Sequence, residues 1–76
     1  MLDAKAVGRA VRREREDHHL SQEVLSGLAG IGRTHLSAIE RGTRRPTLET
    51  FFCIAEAMGV APSALMKRIE AEMRQE

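Results

Sequence analysis

The twenty-six residues from Ser21 to Pro46, SQEVLSGLAGIGRTHLSAIERGTRRP, constrain the fold more than any other part of this chain. Apolar side chains recur at helical spacing through Leu25, Leu28 and Ala29 and again through Leu36 and Ile39. The phase breaks once, around Ile31, between Gly30 and Gly32. A 3.6-residue period that stops and restarts across glycines predicts two short helices joined by a tight turn. In the second helix, roughly residues 33–41, Leu36 and Ile39 mark the inward face. Arg33, Thr34, Ser37, Ala38 and Arg41 are left pointing outward, and that side carries no acid before Glu40.

Seventy-six residues make one small domain, 1–76, with room for a single core. A hydrophobic fraction of 42% against 30% charged places it with globular chains rather than disordered ones. Two Phe with no Trp or Tyr make that core aliphatic and argue against single-stranded nucleic acid, which needs aromatic faces to stack on. The net charge of +1 is uninformative as a sum but uneven along the chain. Residues 31–47 carry four arginines against Glu40, whereas 48–76 carry three basic and five acidic groups. Positive charge therefore gathers on the second helix of the pair and the loop after it.

One cysteine, Cys53, excludes an internal disulfide and reads as a small filler in or near the core. His18, His19 and His35 lack the spacing of a closed metal site, so no metal is expected. No nucleophile with a base, no carboxylate pair and no phosphate-cradling glycine loop stand out, so no enzyme and no cofactor are expected. No leader and no long apolar run is visible, which points to a cytoplasmic protein with no membrane partner.

Gln22 opening the first helix, Leu25, Gly30 in the turn, the Leu36/Ile39 pair, Glu40-Arg41-Gly42 and Pro46 together resemble the lambda-repressor-like, Xre-type family of DNA-binding domains. The resemblance runs from about Val7 to Met66. It implies an all-α, compact five-helix domain with the helix-turn-helix at 21–41. It further implies double-stranded DNA as partner, with Arg33, Thr34, Ser37 and Ala38 against base edges in the major groove. Arg33 would bond a guanine through O6 and N7. Gln22, His35, Arg41, Thr43, Arg44 and Arg45 would lie along phosphates, and Arg15 on helix one would pair with Glu40.

Around that frame, helix one is expected over residues 1–18 with Asp3 as cap and Val7, Ala10 and Val11 inward. The family usually has Gly where this chain has His19, so a looser turn is expected there. Helix two starts at Ser21 and turns Val24, Leu25 and Leu28 inward. Gly32 caps helix three almost as well as Ser does. Helix four, 48–58, ends at Gly59 and packs Leu48, Phe51 or Phe52, Ile54, Ala55 and Met58 against helices one and three. Helix five, 62–75, closes the core with Leu65. Beyond it Met66, Ile69 and Met73 form an apolar stripe that a monomer would leave wet, and this predicts a homodimer interface.

The expected function is a transcriptional regulator reading an inverted-repeat operator as a homodimer, with no small-molecule effector evident. Restriction–modification controllers resemble this length and layout. The alternative is an antitoxin or other protein-interaction module on the same scaffold. The discriminating feature, a partner-binding tail, is not seen beyond the ten or so residues after Leu65.

Overall fold

The computed structural model describes residues 1–74, so residue 75, the expected last residue of helix five, lies outside the described residues. Five α-helices follow one another: α1 Ala4–Asp17, α2 Gln22–Ala29, α3 Arg33–Arg41, α4 Leu48–Ala57 and α5 Pro62–Arg74. Their starts are chemically specified. Asp3 accepts from the Lys5 N–H at 3.0 Å, Ser21 Oγ from Val24 N–H at 3.0 Å, and Thr47 Oγ1 from Thr50 N–H at 3.1 Å. Gly32 starts α3 without a side-chain bond.

The α1 end differs from its expected looseness. His19 adopts φ 56°, in the left-handed region, yet the turn is fully bonded: His19 N–H donates to Glu16 O at 2.9 Å and Leu20 N–H to Arg15 O at 3.2 Å. Arg15 Nη1 closes it again by donating to Leu20 O at 2.8 Å.

The core is a single cluster of Val7, Ala10, Val11, Leu25, Leu36, Ile39, Phe51, Ile54, Ala55, Met58, Leu65 and Ile69. Helix α1 packs on α3 and α5, α2 packs on α3 and α4, and α4 packs on α5. The main neighbours of α4 are thus α2 and α5, a correction to the expected packing on helices one and three. Leu48, at the first position of α4, also turns outward and is 71% exposed. On α2 only Leu25 and Ser26 are buried. Val24 and Leu28 are exposed, since an eight-residue helix wedged between α3 and α4 hides one narrow line of side chains.

Helix α1 approaches α3 more closely than a Cβ allows. A methyl built at Gly8 would stand 2.4 Å from the Glu40 carbonyl oxygen and 2.5 Å from that of Ile39. This crossing positions the whole second half of α3. A second fastening joins α1 to α5: Glu72, buried, accepts from Arg9 Nε at 3.1 Å and from Arg13 Nη1, and Arg68 Nη1 bridges Glu14 at 3.0 Å and Asp17 at 2.8 Å. Burial pushes the Glu72 carboxyl up, but hydrogen bonds from Arg9 and Arg13 and their charges outweigh it and hold the group below its ordinary value. No single helix among the described residues is long and apolar enough to cross a membrane.

Candidate nucleic-acid interface

Helix α3 is anchored by Leu36 and Ile39, both wholly buried, and by Glu40 behind them. With that side fixed, helical geometry turns the opposite side to solvent. Arg33 and Thr34 are exposed, and Ser37 and Ala38 are half-buried on the same face one turn later. Neither Arg33 nor Arg44 bonds to another described residue, and both guanidinium groups stand in solvent. A guanidinium offers five donors in a planar fork and matches a guanine edge or a phosphate, so both are suited to receive an outside ligand.

The other expected residues are more tied down. Arg41 Nη1 donates to Ser37 Oγ, one turn back, so the Arg41 head lies along the outward face of α3. Thr43 is part of the helix end: its N–H and its Oγ1 both donate to Ala38 O, at 3.0 Å and 3.1 Å. Gly42 makes this end possible with φ 77°. Arg45 Nη2 donates to Leu2 O at 3.3 Å, which draws it toward the chain's start. His35 is half-buried on the flank of α3. Gln22, expected to face outward, instead donates from Nε2 to Glu40 Oε1 at 2.9 Å.

Glu40 is the centre of this arrangement. Arg15 grips it with two parallel bonds, Nε to Oε2 at 2.7 Å and Nη2 to Oε1 at 3.0 Å, with the two side chains 12% and 3% exposed. Hydrogen bonding to Glu40 raises the Arg15 pKa further against the lowering effect of burial. The pair joins α1 to the end of α3 and, through Gln22, to the start of α2.

Sequence reasoning missed Lys5. Its backbone and side-chain stem lie over Gly42, where an added Cβ would come within 2.8 Å of Lys5 Cγ. Lys5 thus adds an exposed ammonium-bearing side chain beside Arg41, Thr43 and Arg44. The distance in sequence hid it, although a glycine after a basic helix end is a signal for close approach.

The expected dimer stripe needs correction. Ile69 is 2% exposed and belongs to the core, and Met73 is half-buried against it. Helix α1 lies along α5 and covers this line, so the monomer does not leave it wet. Of the three, only Met66 remains exposed. It shares a shallow apolar depression with Leu48, Phe51, Phe52 and Pro62 at the junction of α4 and α5.

A short helix with an unpaired guanidinium at its outward first turn, followed by a basic loop and joined to a second helix across a glycine turn, defines a class. The chain belongs to the helix-turn-helix family, whose model matches residues 11–65. Within it, an uncharacterized helix-turn-helix transcriptional regulator of Sinorhizobium fredii, y4dJ, is 39% identical over 57 residues, 75% of this chain and 74% of that protein. The restriction-modification controller C.AhdI of Aeromonas hydrophila is 32% identical, with a TM-score of 0.81 over 86% of this chain and 98% of its own. A second controller, C.Esp1396I, solved as a tetramer with its natural 35-base-pair operator, shares the fold at a TM-score of 0.86, with 22% identity over 95% of each chain. The family is one of transcriptional regulators rather than of enzymes.

Proposed function

We propose that this chain is a sequence-specific transcriptional regulator that works in the cytoplasm and binds an inverted-repeat operator in double-stranded DNA as a homodimer. The observation that carries this reading is the exposure of Arg33 and Thr34 at the first turn of α3, backed by a helix with no freedom to turn them inward. The major groove admits a helix of this kind, and its first turns reach deepest. Arg33 takes a guanine edge, Thr34 and Ala38 touch a thymine methyl or donate one bond, and Ser37 offers its hydroxyl. Phosphates fall to Arg41, Thr43, Arg44 and Arg45, to His35 on the flank, to Gln22 at the start of α2, and to Lys5.

The homodimer contact in this reading centres on Met66 with Leu48 and Phe52, 38%, 71% and 45% exposed, rather than on Ile69 and Met73. Reading two half-sites one turn of duplex apart requires a dimer whose two α3 helices stand about 34 Å apart. Titration of a duplex at several salt concentrations tests the electrostatic half. If a dimer neutralises roughly eight phosphates, log K falls with log salt at a slope near −7, and a flat response contradicts the reading.

A further inference from the structure

Where the loop after α3 runs into α4, it bounds a cavity of about 170 Å³ shared with α1 and α5. Val7 of α1, Phe51 of α4 and Ile69 of α5 form its buried floor, and Leu2, Met66 and Arg45 stand exposed around them. Helices α1 and α4 are not packed closely on each other, which leaves this space between their first turns. Two polar side chains line it. Thr47 is spent, since its Oγ1 accepts from the Thr50 N–H and donates to Thr50 Oγ1 at 3.0 Å. Arg45 is not. Its one bond to a described residue runs from Nη2 to Leu2 O at 3.3 Å, and no described carboxylate pairs with it, so most of its donors are open. A cavity of about 150 Å³ lined by aliphatic and aromatic side chains takes a ring of about six carbons in preference to water. The present one is of similar size and adds a guanidinium on its rim. The guest it fits has an apolar body of about six carbons and a single carboxylate for the guanidinium fork.

We propose that this cavity is an effector site for a free monocarboxylic acid with a body of about six to eight carbons, and that its occupancy withdraws Arg45 from the DNA backbone. The second half rests on the duplex-binding reading above, which gives Arg45 to a phosphate. One guanidinium cannot serve both anions fully, so acid and duplex compete, and each weakens the other by the same factor. Neither half of the guest satisfies the site alone: acetate leaves the cavity empty, and an alcohol leaves the guanidinium unmatched. Met66 on the rim also belongs to the dimer contact proposed above, so a second copy of the chain is the rival occupant.

The full chain and Arg45→Gln, a change at an exposed position, are titrated with sodium hexanoate, with sodium acetate at equal ionic strength and with 1-hexanol, and followed by amide NMR. Hexanoate is expected to shift the Val7, Thr47 and Phe51 amides saturably, with half-saturation at about 1 mM or below. Acetate leaves them in place, 1-hexanol binds about tenfold more weakly, and Arg45→Gln brings hexanoate to the level of the alcohol. A mixed-sequence duplex of about 20 base pairs is then titrated with saturating hexanoate in place of acetate. Binding by the parent is expected to weaken at least about tenfold, and the slope of log K against log salt to become shallower by about two, one phosphate per protomer, with neither effect in Arg45→Gln. No saturable shift, equal shifts with acetate, or equal hexanoate affinity in both proteins overturns the site. Shifts that follow protein concentration and not hexanoate also overturn it, and give the cavity to a second copy. Saturable binding with unchanged duplex affinity overturns the competition. Saturable binding by a parent that binds no duplex at any salt concentration overturns the duplex-binding reading instead and leaves the acid site standing.

Discussion

Glu40 and Gly8 meet on the two sides of one crossing, and both are single points of failure. Glu40→Ala leaves Arg15 12% exposed with no carboxylate, and removing one partner of a buried pair costs on the order of 3–5 kcal/mol. Thermal melting is expected to show a large fall in Tm, and an unchanged curve contradicts the role given to the pair. Gly8→Ala forces α1 off two carbonyl oxygens that cannot retreat without moving α3, with a cost of about 1–3 kcal/mol or more. That variant is expected to lose duplex affinity along with stability, because the part of α3 it displaces ends at Arg41. Arg33→Ala is expected to act oppositely, leaving Tm in place while costing about 1–3 kcal/mol of discrimination at one base pair. Arg15 with Glu40 was open to expectation through family resemblance. The Gln22 bond was not, because nothing in spacing tells a surface amide near an α-helix start that a carboxylate eighteen residues later sits beside it.

At the scale of elements, every helix and nearly every boundary was legible, since capping residues and glycines punctuate the chain: Asp3, Ser21, Thr47, then Gly30, Gly42 and Gly59. What periodicity did not disclose was which neighbour takes each apolar face. Val24 and Leu28 are spaced like core residues yet face solvent, and Ile69 is spaced like a free stripe yet lies under α1. A helix's own pattern says that one side is apolar, and only the packing partner says how wide a side is covered. The α1–α5 fastening through Glu72 illustrates the same gap, as nothing in the spacing of Arg9 and Arg13 ties them to a carboxylate on α5. Its pH signature follows from the lowered Glu72 carboxyl: stability is present above the ordinary carboxylate value and is lost as pH falls through the folded-state value. Glu72→Gln is accordingly expected to lower Tm near neutral pH, with the gap to the parent chain narrowing as acid is added. A gap independent of pH contradicts the ion-pair account.

Considered whole, the molecule carries two chemically distinct surfaces. One side presents α3 with its following loop and carries the excess of arginine, and another, where α4 meets α5, carries the exposed Leu48, Phe52 and Met66. Proposing a dimer there makes a direct prediction. Phe52→Asp should sediment as a folded monomer and bind a full operator at least about 100-fold more weakly, since the second half-site no longer benefits from linkage. An undiminished dimer would move the contact elsewhere. The central claim, that the outward face of α3 reads base pairs, is tested most directly by selecting bound duplexes from a random library with the parent chain and with Arg33→Ala. The account predicts an inverted repeat with a G–C pair in each half for the parent chain, and loss of preference at that pair alone for Arg33→Ala; no common site, or the same site from both proteins, would contradict it.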